Sequence, residues 1–160
     1  MPIRRNPGVE ILLHFRWKVA TGKLTPTAIT KLGPYIMRYA ETLNIRVHAV
    51  GGVTDHLHIL ADLPPDMTAD RFSKELQNPT ARYLRDVQSV NDFGWNVDSV
   101  AIVSISLPER ETVALYLTDQ EAHHANGVLD PLLEESDAAI SSPPPAPDEE
   151  LPDWLTSALR

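Results

Sequence analysis

The spacing of hydrophobic positions changes several times along the chain, and each change marks a predicted element. The run EILLHFRWKV is apolar without helical spacing, so it predicts a first strand that ends by Gly22. Thr25-Pro26 then offers a helix cap followed by proline at the first helical position. The apolar positions that follow recur every three or four residues and are Ile29, Leu32, Ile36, Tyr39 and Leu43. This pattern predicts an amphipathic helix, with Gly33-Pro34 as a point where it bends.

A hairpin, a second helix, a fourth strand and a last helix follow. IRVHAV and HLHILADL predict two strands joined by a turn from Gly51 to Asp55. The second helix begins near Thr68, and Asn78-Pro79 is expected to break or bend it. SVAIVSIS predicts the fourth strand, after which Pro108 opens a helix over PERETVALYLTDQEAHH that Gly127 ends.

The predicted order is β-α-β-β-α-β-α. Its first six elements form the split βαβ arrangement of ferredoxin-like folds, so we expect an α+β protein. The sheet should carry two helices on one face, with a further C-terminal helix appended. Because this architecture hosts many unrelated functions, the function has to be argued from particular residues.

Composition excludes several classes of protein. The 160 residues are 42% hydrophobic and 22% charged, which is ordinary for a globular domain. The absence of cysteine excludes disulfides, thiolate metal sites and thiol catalysis. No apolar stretch approaches the roughly 20 residues of a membrane span, and MPIRRNPGVE does not resemble a signal peptide. We therefore expect a soluble, cytoplasmic protein.

The formal net charge of −8 is concentrated at the C-terminus. Residues 1–128 have a net charge of −1, whereas residues 129–160 have a net charge of −7 and include prolines from Pro143 to Pro145. We expect a folded domain over 1–128 and a disordered acidic, proline-rich tail over 129–160, whose tip carries Trp154, Leu155 and Leu159. A nearly neutral domain permits a nucleic-acid site without indicating one.

Two histidines in the third predicted strand are candidate metal ligands. Side chains alternate along a strand, so His56, His58, Leu60 and Asp62 should share one exposed face while Leu57, Ile59, Ala61 and Leu63 face the core. His56 and His58 would lie about 6.6 Å apart at the backbone, which lets two imidazoles converge on one ion. An incidental pair of surface histidines is the alternative.

The last helix carries a second candidate group. Tyr116, Gln120 and His123 are spaced four and three residues apart, which places them on one helical face. The alternative is structural: the Tyr116 ring packs on the sheet, and His123-His124 suits the negative end of the helix dipole.

Together these residues resemble the single-tyrosine HUH transposases, which include insertion sequence 200-like and REP-associated tyrosine transposases. The resemblance rests on GGVTDHLHILADLPP, then VSIS and VALYLTDQEAHH, and extends from about Leu12 to His124. It implies that His56 and His58 bind a divalent metal with Gln120 as the third ligand. It also implies that Tyr116 is the nucleophile of a single-stranded DNA endonuclease and strand transferase that forms a phosphotyrosine.

The resemblance further implies a cofactor and partners. The metal would be Mg²⁺ or Mn²⁺, although two imidazoles also suit Zn²⁺ or Ni²⁺. Family members act on hairpins in single-stranded DNA as homodimers, with the tyrosine helix contributed in trans. Candidate DNA contacts are Arg4, Arg5, Arg16, Lys18, Lys23, Arg82 and Arg85. Each of these could equally be a solvated surface charge.

Two other functional classes remain open at this point. A catalytically silent relative could act as a hairpin-binding module, which the near-neutral domain and the acidic tail favour. A metal-responsive or structural protein needs only the fold and the two histidines, and leaves Tyr116 and Gln120 without a role.

Overall fold

The computed structural model describes residues 11–134. The strands are β1 (Ile11–Thr21), β2 (Arg46–Val53), β3 (His56–Leu63) and β4 (Gly94–Ser104). The helices are α1 (Pro26–Thr42), α2 (Ala69–Asp86), α3 (Arg110–Thr118), α4 (Gln120–Asn126) and α5 (Pro131–Glu134), with a 3₁₀ turn at Leu107–Glu109. This order confirms the predicted α+β, ferredoxin-like fold.

The four strands form one antiparallel sheet in the order β2-β3-β1-β4. The register between the two central strands pairs Arg16 with His58 and Lys18 with His56. Because side chains directly opposite each other on paired strands share a face, both basic residues lie beside the histidine pair.

The main hydrophobic core lies between the sheet and the two long helices. Phe15 and Trp17 of β1 and Leu57 and Ile59 of β3 are fully buried there. The Phe15 ring centroid lies 4.6 Å from that of Phe72 in α2. Leu57 and Ile59 are among the residues of β3 that the alternating pattern predicts to face the core.

Both long helices begin at the predicted caps and continue through their internal prolines. The Thr25 side chain accepts a hydrogen bond from the Ala28 amide at 3.1 Å, and α1 continues past Pro34. Asn78-Pro79 was expected to break or bend the second helix, and it does not break it: α2 runs unbroken to Asp86. A proline removes one backbone hydrogen bond, and the buried face of α2 retains the packing that holds the helix together.

The opposite face of the sheet is covered, so the prediction of an exposed histidine face is wrong. Every residue of β3 is buried. A second hydrophobic cluster joins Leu12, Ala49 and Leu60 of the sheet to Leu117 of α3. The sequence pattern gave only the alternation along β3, whereas the burial comes from α3 packing over β2 and β3.

Gly51 allows this close packing. The pattern placed Gly51 and Gly52 in the hairpin turn, but both belong to β2, and only Thr54 and Asp55 separate the two strands. A Cβ atom at Gly51 would overlap the carbonyl oxygen of Leu117 and lie 2.5 Å from its carbonyl carbon. The backbone of α3 therefore passes directly over a residue that has no side chain.

The C-terminal part differs from the single predicted helix. The helix is divided at Asp119 into α3 and α4, and Gly127 ends α4 with φ of +66°, as predicted. The described structure continues beyond residue 128 into α5, where Leu133 is only 2% exposed. Residues 135–160 of the expected tail over 129–160, together with the N-terminal Arg4 and Arg5, lie outside the described residues. None of the helices in the described range is long and apolar enough to cross a membrane.

Candidate active site

The site is assembled on the sheet face that lies under α3, α4 and α5. His56 and His58 point to this face from β3, and His14 and Arg16 reach it from the neighbouring strand β1. All three histidines are almost completely buried, at 2% exposure or less.

Each histidine of the predicted pair is held through its Nδ1 atom. His58 Nδ1 lies 2.7 Å from His14 Nε2, and His56 Nδ1 lies 2.7 Å from Asp55 Oδ1. Such outer partners orient a metal-binding imidazole and leave Nε2 to face the ion. Burial and the neighbouring His58 lower the pKa of His14 to about 3. Burial also lowers the pKa of His58, so both rings are kept neutral, the form in which imidazole binds a metal.

Tyr116 reaches the same space from α3. Its hydroxyl donates to Glu134 Oε1 at 2.8 Å and accepts from the Asp130 amide at 3.0 Å. The His123 ring lies 4.5 Å from the tyrosine ring, centroid to centroid. Burial raises the pKa of Tyr116 above its ordinary value. The hydroxyl is therefore protonated at neutral pH and fixed in position.

Glu134 lies at the centre of the site. Its carboxylate oxygens are 3.1 Å from His56 Nε2, 3.2 Å from His58 Nε2 and 3.5 Å from His124 Nε2. Burial raises the pKa of Glu134, but the adjacent imidazoles of His56 and His58 outweigh this effect and bring the pKa well below its usual range. Glu134 is therefore an anion surrounded by imidazoles.

Gln120 is adjacent to Tyr116 and is 1% exposed. Its amide nitrogen donates to the Tyr116 carbonyl at 3.3 Å, whereas its Oε1 is buried without a hydrogen-bond partner among the described residues. A buried amide oxygen without a donor is costly and is one that an ion can satisfy.

The candidate DNA-contacting residues do not all lie near the site. Arg16 does, since its Nε is 4.0 Å from Glu134 Oε2, and Lys18 follows on the same face of β1. Lys23 is exposed beyond β1. Arg82 and Arg85 are exposed on α2, which packs on the opposite face of the sheet, and Arg85 donates to the Phe93 carbonyl at 2.8 Å.

Sequence reasoning missed four residues of the site, which are His14, Asp55, His124 and Glu134. His14 could have been found from strand alternation once β1 and β3 were paired, since it shares the face of Arg16. His124 was noted only as suited to a helix end. Nothing in the sequence marks Glu134 as a residue of the site, because the acidic segment around it predicts disorder.

Comparisons with known proteins show the family of this chain. Residues 10–120 match the family model described as Transposase IS200 like, and no curated protein matches the chain. The family match spans well over half of the sequence, so the chain belongs to the IS200-like transposase family.

Two solved structures share the fold. A protein of Deinococcus radiodurans R1, described as a candidate transposase, is 18% identical with a TM-score of 0.54 and covers 72% of this chain and 95% of its own. A REP-associated tyrosine transposase bound to a REP hairpin is 13% identical, also with a TM-score of 0.54, and covers 78% of this chain and 74% of its own. At these identities the likeness establishes the fold.

Proposed function

We propose that this chain cleaves single-stranded DNA and transfers the cut strand through a phosphotyrosine, with Tyr116 as the nucleophile. The observation that carries the proposal is that the tyrosine hydroxyl and both histidines of the pair contact one carboxylate, that of Glu134, with His56 Nε2 3.1 Å from its Oε2. Tyr116 Oη and His58 Nε2 lie 2.8 and 3.2 Å from the same Glu134 oxygen. A positioned hydroxyl beside metal-binding imidazoles suits phosphoryl transfer, and membership of a transposase family supports the same chemistry.

The residues present fit a divalent metal, which we propose to be Mg²⁺ or Mn²⁺. His56 and His58 would hold it through Nε2, and Gln120 through Oε1. All three atoms are buried, and none makes a hydrogen bond with another described residue. When bound, such an ion polarises the scissile phosphate and offsets negative charge on its oxygens.

The chain's own residues would act as follows. The Tyr116 oxygen forms a bond to phosphorus while the bond from phosphorus to one strand oxygen breaks. The tyrosyl proton passes to Glu134 Oε1, the acceptor nearest to the hydroxyl, and from there to the departing strand oxygen, which becomes a hydroxyl. One phosphodiester is exchanged for another, so a DNA hydroxyl can reverse the step without ATP.

Arg16 is the residue best placed to bind the scissile phosphate. Its Nε and one terminal nitrogen are buried and make no hydrogen bond within residues 11–134. Phosphate oxygens are the natural acceptors for a guanidinium group with free donors. In this proposal Lys18 extends the basic surface along β1, whereas Lys23, Arg82 and Arg85 would contact DNA only away from the cleavage point.

We propose hairpin-containing single-stranded DNA as the partner. The similar REP-associated transposase is described as bound to a REP hairpin, which supports this choice. The homodimer with an exchanged tyrosine helix stays a prediction from the family resemblance. In this structure α3 packs on the sheet of its own chain.

The experiment is a search for a covalent adduct. Wild-type protein is incubated with labelled hairpin single-stranded DNAs and Mn²⁺ or Mg²⁺, and the products are separated by denaturing electrophoresis. We expect an adduct that disappears with chelator and in Tyr116→Phe. Tyr39→Phe removes the same atom from α1, on the far side of the sheet, and should behave as wild type. An adduct formed by Tyr116→Phe would contradict the proposal. Retained hairpins without any wild-type adduct would favour the binding-module alternative.

A further inference from the structure

We infer that Glu134 is itself a ligand of the metal, joining His56 and His124, so that α5 is part of the metal centre. The inference rests on the proposed function, because it assigns a further ligand to the same ion. It adds two residues, Glu134 and His124, to the set that the sequence predicts.

The first argument is that these groups are close without being hydrogen-bonded. His56 Nε2 and His124 Nε2 lie 3.1 and 3.5 Å from Glu134 oxygens, yet both nitrogens lack a hydrogen bond of acceptable geometry within the described part of the chain. If His56 and His124 donated hydrogen bonds to the Glu134 carboxylate, their N–H bonds would point at its oxygens. Ligands of one metal ion have this arrangement, because their lone pairs point at a common centre between them and not at one another.

The second argument is the distance between the donor atoms of these residues. One donor atom from each of His56, His124 and Glu134 can be chosen so that all lie within 4.8 Å of one another. Metal–ligand bonds of about 2.0–2.2 Å place neighbouring donors roughly 2.8–3.6 Å apart in a tetrahedral or octahedral shell. The distances from Glu134 oxygens to the histidine nitrogens fall within that range.

The third argument is that the chain holds Glu134 in place. Leu133 is buried at 2% exposure, and the amides of Leu133 and Glu134 both donate to the Asp130 carbonyl. The Asp130 amide in turn donates to the Tyr116 hydroxyl. This short segment therefore connects the carboxylate to the nucleophile and is anchored by an apolar side chain.

The chemistry of the ligand set favours the same conclusion. Three imidazoles and an amide oxygen carry no charge, and imidazole ligands suit Zn²⁺ or Ni²⁺ as well as Mn²⁺. A carboxylate oxygen adds the charge and hardness that Mn²⁺ and Mg²⁺ prefer. The second oxygen of Glu134 remains available to the Tyr116 hydroxyl, so the metal and the nucleophile share one positioning group.

The test is Mn²⁺ affinity of the full-length protein in the absence of DNA. Chelator-treated wild type, Glu134→Gln and Glu134→Asp are titrated with Mn²⁺ by calorimetry, and free Mn²⁺ is followed by electron paramagnetic resonance. Glu111→Gln is the matched control, because Glu111 is an exposed carboxylate at the start of α3. Thermal unfolding of the metal-free proteins shows that each variant is folded.

We expect Glu134→Gln to weaken Mn²⁺ binding at least about tenfold, since loss of even an outer-shell partner costs roughly 10–100-fold. Glu134→Asp should lie between this variant and wild type, and Glu111→Gln should match wild type. Equal or tighter binding by Glu134→Gln would overturn the inference, because the carboxylate would then only fill the site, and the proposed function would stand. If wild type itself binds no Mn²⁺ or Mg²⁺, the metal-dependent function fails, and the inference fails with it.

Discussion

Replacing Gly51 by alanine is expected to displace α3 and, with it, the nucleophile. The new Cβ would lie 2.5 Å from the Leu117 carbonyl carbon and would overlap the attached oxygen. Cβ atoms essentially never come within 3.0 Å of another heavy atom, so the two backbones must separate by more than 0.5 Å to clear the carbon and by about 1.5 Å to clear the oxygen. Tyr116 is the neighbour of Leu117 and moves with it.

The expected cost has two parts. Overpacking of this kind destabilises by about 1–3 kcal/mol, and both groups here are backbone, so we expect the upper part of that range. For a domain of this size, that corresponds to a fall in Tm of roughly 10 °C. A displacement of about 1 Å at a reacting group can reduce the rate 100-fold.

The assay combines thermal unfolding with the initial rate of adduct formation, measured well below the variant's Tm. Gly33→Ala is the matched control, because its Cβ would only meet Val50 at 3.8 Å. Alanine has a higher helix propensity than glycine, but a side chain on the residue before a proline is disfavoured in a helix. Because the two effects oppose each other, the free energy of unfolding of Gly33→Ala should change by less than about 1 kcal/mol. If Gly51→Ala keeps the wild-type Tm and rate, the argument that this glycine positions Tyr116 is refuted.

Three further predictions concern the site. Arg16→Ala should lower the adduct rate about 100-fold, with a smaller loss of hairpin affinity in a native gel; equal losses of rate and affinity would instead make Arg16 a general DNA contact. The pKa of His14 is about 3 in the folded state and 6.5 in the unfolded state. The unfolded state therefore takes up a proton first as the pH falls. The contribution of His14 to the free energy of unfolding is present above pH 6.5 and is about 2 kcal/mol smaller at pH 5. His14→Gln should therefore lose less free energy of unfolding at acid pH than wild type, as measured by urea unfolding. Mixing Tyr116→Phe with a variant that lacks His56 and His58 should restore no adduct if the site is complete within one chain, whereas a restored adduct would show the exchanged helix that the family resemblance predicts.

Local pattern was sufficient for most of the fold. The helix from Pro26 and the helix from Ala69 follow from caps and from apolar spacing, which depend on residues a few positions apart. The strand alternation separated Leu57 and Ile59 from His56 and His58 correctly, because it is a property of the extended backbone itself. Tyr116 and Gln120 lie next to each other, as their four-residue spacing predicts, although the helix divides at Asp119 between them.

Local pattern failed wherever a contact joined distant parts of the chain. Asn78-Pro79 predicts a break or bend in α2, but packing of its buried face keeps the helix continuous. Gly51 looked like a turn residue, and only the path of α3 shows that its missing side chain makes room for Leu117. These outcomes depend on which surfaces meet, and no short stretch of sequence contains that information.

The features of the site divide in the same way, into those that local pattern predicts and those that only long-range contacts produce. The sequence by itself determined the order of elements and placed His56 and His58 on one face of a strand, because both depend on backbone periodicity. Tyr116 became a candidate nucleophile through the family resemblance. Only the tertiary structure decided that the histidine face is buried, that His14 lies behind His58, and that Glu134 enters from a segment whose composition predicts disorder. Burial and long-range contact are properties of the assembled chain: Glu134 is far from His58 in sequence, and it reaches the imidazole because α3, α4 and α5 fold back over the sheet.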